Sequence, residues 1–210
     1  MRRGEVIMSV HKAREFCTRN INLVQPRLGT KAIAASDEFC APKERLLEAQ
    51  PVVFIPDNYD ANGKWMDGWE TRRRRSPRLE ETFDWCVIRL GMPGEIKGVV
   101  VDTAYFRGNF PSHCSIEAAT VDGQPESSKL LGGGTTWIEI LPYSELKGDS
   151  KNEFEIEHNG RITHLRFKIY PDGGVARLRI HGNVWPEWEA LRKRNSEIDL
   201  AAAENGGDVP

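Results

Sequence analysis

The sequence predicts an all-β fold, an antiparallel jelly-roll sandwich with short peripheral helices. Three observations carry that prediction. Apolar and polar residues alternate along several segments between Phe83 and Val184, helical spacing is nearly absent over the same span, and Gly/Pro-rich turns separate the segments. A period of two marks a half-buried strand, and many short strands punctuated in this way build a sandwich or a jelly roll.

Residues 1–20 are polar and weakly patterned, with one helical turn expected in "HKAREFC". In "KAIAASDEFCAPKERLLEAQP", Ser36 and Asp37 offer a helix cap or a turn, and Pro42 opens a short amphipathic helix near 42–50. "PDNYDANGKWMDGW" is dense in turn formers and reads as irregular loop. Strands follow. "FDWCVIRLG" sets Cys86, Ile88 and Leu90 against Trp85, Val87 and Arg89, and "GEIKGVVVDTAYF" is a Val-rich run ending at Asp102. "CSIEAATV" and "TTWIEILP" alternate in the same manner. "RITHLRFKIYPDGGVARLRIHG" reads as a hairpin around "PDGG", with His164 and His181 facing each other across it. A second helical piece is expected near 186–195.

The chain has 210 residues, 39% of them hydrophobic and 29% charged, enough for one large β domain with tails. A net charge of −2 argues against a nucleic-acid binder. No run approaches the roughly 18 apolar residues of a membrane span. The opening "MRRGEVIMSVHK" lacks the apolar core of a secretory signal, and Met8 is an alternative start. A cytoplasmic location follows, and with it four free thiols at Cys17, Cys40, Cys86 and Cys114, none in C-x-x-C spacing.

Chemistry is concentrated in few places. Trp69 and Glu70 precede four consecutive arginines, Arg72 to Arg75. Such a run is a solvated loop paired with Glu80, Glu81 and Asp84, a nucleic-acid patch, or an anion site, since guanidinium forks grip carboxylates in bidentate fashion. Asp102 ends a strand ahead of Arg107, Gly108 and Asn109, as a functional carboxylate or as a turn former. Asp84 sits between Phe83 and Trp85, where a carboxylate is paired, perturbed or capping. His113 is the histidine nearest the Asp102 loop. Phosphate loops, dinucleotide fingerprints and serine-hydrolase elbows are all missing from the sequence.

"SDEFCAPKERLL", "GKWMDGWETRRRR", "FDWCVIRLG", "GVVVDTAYFRGNFP" and "SIEAA", in this order, together resemble the allantoicase (allantoate amidinohydrolase) family, and "RFKIYPDGGVARLRIHG" fits the end of its repeat. The resemblance implies a galactose-binding-like jelly roll over 21–190, after a tail at 1–20. It implies hydrolysis of allantoate to ureidoglycolate and urea in purine (allantoin) degradation, by proteins of two tandem repeats that form homo-oligomers. This chain holds one full repeat. "IDLAAAENGGDVP" echoes "INLVQPRLGTK", so 191–210 reads as a linker and the truncated start of a second repeat.

Allantoate is an anion with two ureido groups on one carbon. The resemblance thus assigns catalytic acid–base work to Glu70, Asp84 and Asp102, and substrate binding to Arg72, Arg73, Arg107, Asn109 and His113. A divalent metal such as manganese would find oxygen ligands in Asp37 and Glu38, or in Asp102. Arg72 or Arg73, Asp84 and Asp102 are expected to converge on one loop-lined pocket, with allantoate as the partner and neither nucleic acid nor membrane. The alternatives are a non-catalytic ligand- or carbohydrate-binding module and an inactive half-length chain; the wealth of Arg, Asp and Glu favours chemistry on an anion.

Overall fold

One strand organises both layers of the sandwich. In the computed structural model, which describes residues 15–75, 82–123 and 125–185, a single 19-residue strand runs from Asp84 to Asp102. In chain order the strands are β1 (Ile21–Asn22), β2 (Lys31–Ala35), β3 (Tyr59–Asp60), β4 (Gly63–Lys64), β5 (Trp69–Glu70), β6 (Asp84–Asp102), β7 (His113–Ala119), β8 (Ile138–Glu145), β9 (Lys151–Glu155), β10 (Ile162–Tyr170), β11 (Gly174–Val175) and β12 (Arg177–Val184). The first half of β6 pairs with β2 and β10, and its second half with β12 and β9, all antiparallel. Gly94 is the handover, facing Ile162 of β10 and Val184 of β12. β6 therefore climbs one sheet, bends over the top and descends in the other. The layers are β2-β6-β10-β7-β8 and β1-β12-β6-β9.

The bend is encoded in "GMPGE". Pro93 has no N–H to give a ladder. A Cβ on Gly91 would lie 1.8 Å from the Leu28 carbonyl oxygen, so the chains approach this closely only through glycine. Below the bend the expected alternation holds. Cys86, Ile88, Leu90, Ile116, Leu165, Phe167 and Ile169 from one sheet meet Val99, Val101, Leu178 and Ile180 from the other in one buried cluster. Each large side chain so buried contributes about 1.5–3 kcal/mol. Among the described residues no helix is long and apolar enough to cross a membrane, and all four cysteines are free.

Two local expectations are corrected. The "PDGG" segment is not a hairpin turn. β10 and β12 pair with opposite halves of β6, so the chain from Tyr170 to Ala176 crosses between the layers, and β11 within it pairs with β5. Turn-forming residues report a reversal and not the partner of the returning strand. His164 and His181 consequently lie in different sheets, beside Ala119 and Asn22 respectively. The expected helix near 42–50 is a 3₁₀ turn, Lys43–Leu47, started at Pro42 and burying Leu46 and Leu47. An α-helical turn at Ser127–Leu131 carried no recognised signal, and the piece expected near 186–195 lies outside the described residues.

His164 is almost completely buried, with Nδ1 2.8 Å from the Thr163 hydroxyl. Burial, aided by the nearby Arg89 charge, lowers its pKa from 6.5 to about 4. Between these values the unfolded chain binds the proton and the folded chain does not, so stability falls as pH drops through this window and the loss is complete below about 4. Denaturant titrations from pH 7 to pH 4 are expected to lose up to about 3 kcal/mol from this residue. His164→Gln should remove that share of the slope.

Candidate active site

Trp69 fixes the site from below. Its ring is fully buried 6.3 Å from Phe167, and its indole N–H donates to the Asp37 carbonyl at 2.9 Å. Strand alternation then turns Glu70 the opposite way, into a cleft of about 540 Å³. Three walls meet there. The short hairpin of β3 and β4 brings Asn62 and Lys64, β5 brings Glu70, and the loop after β6 brings Tyr105, Arg107 and Asn109.

Glu70 Oε1 accepts a hydrogen bond from Asn109 Nδ2 at 2.7 Å. The Asn109 carbonyl accepts from Gly174 N at 2.7 Å, and Gly174 is the β-ladder partner of Glu70. Side chain and backbone thus lock the same pair. Burial raises the Glu70 pKa above its ordinary value, against the lowering effect of the Asn109 bond and the Arg73 charge. A half-buried carboxyl whose pKa is raised and which is held by one amide is a candidate proton donor and acceptor. Tyr105 adopts φ of 66°, a left-handed conformation unusual for a bulky residue. Asp149 secures it, accepting from Tyr105 N at 2.8 Å and from Arg107 Nε at 2.9 Å. Those two bonds hold the Asp149 pKa below the ordinary range. Cys40 also lines the cleft, but burial pushes its thiol up, which leaves it a poor nucleophile.

The arginine run flanks this cleft, and its first three members are spoken for by aspartates. Arg72 Nε reaches Asp37 Oδ2 at 2.6 Å, Arg73 Nη1 reaches Asp172 Oδ1 at 3.0 Å, and Arg74 pairs with Asp84. Arg73 Nη2 also donates to the Gly108 carbonyl at 2.5 Å, bracing the loop that carries Arg107 and Asn109. Asp172 is 2% exposed and accepts from Arg74 N with its second oxygen at 2.7 Å. Of the three pairing partners weighed from sequence, Asp84 is found; Glu80 and Glu81 lie outside the described residues.

The expected convergence is only partial: Arg72, Arg73 and Asp84 share one depression, Asp102 faces another, and the main cleft is lined by other candidates. Glu70, Arg107 and Asn109 share the cleft. Asp84, 1% exposed, is bound by Arg74 and by the Ser36 hydroxyl at 2.7 Å, in a neighbouring depression with Arg72 to Arg75. Asp102 faces a third depression, on the outer side of the four-stranded sheet with Lys151 and Arg179, and its Oδ1 caps Ala104 N at 2.9 Å. Asp84 and Asp102 do share one end of the sandwich, because their ladder partners Ile169 and Arg177 flank the interlayer crossover. They serve different sheets there. His113 opens β7 facing outward, stacked on Tyr143 at 4.2 Å and away from the cleft.

The donor set does not fit the anticipated metal. Asp37 is held by Arg72, and Glu38 by Lys43 at 3.1 Å. Among the described residues no three His, Cys, Asp or Glu side chains gather as a metal ion would require. Sequence reasoning missed Lys64, Asn62, Asp149 and Asp172. The last carried one usable signal: an Asp in a turn is free to point inward when the strands it joins belong to different layers.

Comparison with known proteins gives concordant findings. A family model described as the allantoicase repeat matches residues 21–185. Probable allantoicase 1 of Burkholderia mallei is 51% identical over 203 residues, covering 96% of this chain and 57% of that protein. The crystal structure of allantoicase from Saccharomyces cerevisiae superposes with a TM-score of 0.67 at 31% identity, over 86% of this chain and 54% of that one. The chain spans about half the length of the curated relatives it matches. A chitobiase C-terminal domain from Bacteroides fragilis, 12% identical with a TM-score of 0.51 over 76% of this chain and 97% of its own, shares the fold alone.

Proposed function

The chain belongs to the allantoicase family, and on that premise we propose that its cleft hydrolyses allantoate to ureidoglycolate and urea, a step of purine degradation. The observation that carries the reading is the half-buried carboxyl of Glu70 in the cleft, bonded to Asn109 and with its pKa raised by desolvation. A ureido nitrogen leaves poorly as an anion and needs a proton as the C–N bond breaks. Glu70 donates that proton, urea departs, and water adds to the same carbon while returning a proton to the Glu70 carboxylate. One carboxyl thereby serves both halves of the reaction, and atoms and charge balance. With its amide N–H given to Glu70, the Asn109 Oδ1 accepts from a ureido N–H.

Arg73 acts from outside, through the Gly108 carbonyl and through its charge near Glu70. Arg72, Asp84 and Asp102 serve structure in this reading, His113 has no contact with the reaction, and no step uses a metal. The test is release of urea from allantoate by the purified protein, matched by equimolar ureidoglycolate. No urea above the uncatalysed rate, with or without added manganese, overturns the reading.

We also propose self-association and a cytoplasmic location. Phe39, Val53, Ile55 and Tyr59 are about half exposed or more, and they neighbour in sequence the cleft-lining Cys40, Phe54 and Asn62; exposed apolar side chains of this kind mark surface that a partner covers. A two-fold contact between copies covers it at least cost. Sedimentation at micromolar concentration is expected to give a dimer or a larger multiple; a monomer at every concentration would contradict this. Four free thiols fit a reducing compartment.

A further inference from the structure

The cleft must neutralise the carboxylate of its substrate, and three of the four arginines in the run are already committed, while Arg75 lines the neighbouring depression instead of this cleft. Arg72, Arg73 and Arg74 are paired with Asp37, Asp172 and Asp84, and Arg107 with Asp149. A guanidinium moved onto substrate would leave its aspartate unpaired, and for Asp84 and Asp172 that aspartate is buried. Lys64 is placed differently. It closes the β3–β4 hairpin, lines the same cleft as Glu70 and Asn109, and sets its ammonium 4.6 Å over the Phe54 ring. Phe54 in turn stacks on Tyr105 at 5.4 Å.

An aromatic face attracts the ammonium without consuming its three N–H donors, so it fixes the charge and leaves hydrogen bonds for a ligand. The two-residue turn Ala61–Asn62 leads into Gly63, whose φ of 129° suits glycine and whose surroundings are open solvent. Together they set Lys64 in the cleft wall formed by the β3–β4 hairpin. A ligand in the cleft is within reach of both Lys64 and the Glu70–Asn109 pair.

We propose that Lys64 is the carboxylate anchor of this cleft and selects for small carboxylates bearing a ureido group. The proposal rests on the allantoate reading for the identity of the ligand, and its test separates the two. Allantoate and its neutral methyl ester are titrated calorimetrically into the wild type, Lys64→Met and Lys64→Arg, and urea release is measured in parallel. Lys64→Met keeps the stem packed on Phe54 and removes the charge. It should weaken allantoate binding about tenfold or more and raise KM alike, with kcat within a few-fold. Lys64→Arg should recover most of the loss, and the ester should bind wild type and Lys64→Met equally.

Unchanged allantoate affinity in Lys64→Met overturns the proposal even where urea is released. Lys64-dependent binding without urea release sustains the anchor and overturns the hydrolytic reading. Wild type that binds neither compound overturns both. Matching melting temperatures for the three proteins, expected because Lys64 is exposed, confirm that the comparison is between folded chains.

Discussion

Glu70→Gln is expected to lower kcat/KM for allantoate by about 10²–10⁴-fold, the usual contribution of a positioned acid–base group. Gln keeps the shape and can still accept from Asn109 Nδ2, so the cleft should stay intact and KM should change little. The stability effect has the opposite sign. The folded-state pKa of Glu70 is raised, so the folded chain holds this proton more tightly than the unfolded one, and the charged form costs stability above that pKa. Removing the charge should leave the melting temperature at neutral pH unchanged or higher. Lost activity together with lost stability would instead make Glu70 a structural residue.

Arg177→Met is expected to be the most damaging change to the fold outside the core. Arg177 is 2% exposed although it lies on the outer side of β12. Its Nη2 pairs with Asp67 Oδ2 at 2.8 Å, and its other nitrogens donate to the carbonyls of Arg45, Gln50, Asp67 and Ala176. Asp67 also accepts from Val53 N at 2.9 Å. This one guanidinium therefore ties the segment from Arg45 to Asp67, which forms the hairpin wall of the cleft, to the four-stranded sheet. Substitution leaves Asp67 buried without its charge partner, a loss of about 3–5 kcal/mol. For a chain of this size the melting temperature should fall by roughly 10 °C. A drop within the range of ordinary surface changes, about 0.5 kcal/mol, would show that the tie is dispensable.

The same residue marks what a sequence conveys and what it withholds. Alternation in "VARLRIHG" identified Ala176, Leu178 and Ile180 as one face, and Leu178 and Ile180 do enter the core. It says nothing about loops that fold over the other face, where Arg177 lies and is buried. The sandwich was legible because inner and outer faces are local, two-residue periodicities. The partners of Arg72, Arg73 and Arg74 were not, because Asp37, Asp84 and Asp172 reach them from three separate parts of the chain. Glu70, Arg107 and Asn109 were identifiable as chemistry-bearing side chains around a strand end. Lys64 was not, because "GKW" inside a turn-rich segment is indistinguishable from a solvated loop until the hairpin is seen to line the cleft.

The central claim, that Glu70 delivers the proton in the cleft, is tested most directly by titrating its carboxyl carbon by NMR and comparing the result with the pH dependence of kcat/KM. The expected result is a Glu70 pKa above the ordinary 4.5 and a kcat/KM that falls tenfold per pH unit above that same value, because only the protonated enzyme starts the reaction. A Glu70 carboxyl that titrates at or below 4.5, or a pH profile that ignores its titration, would contradict it.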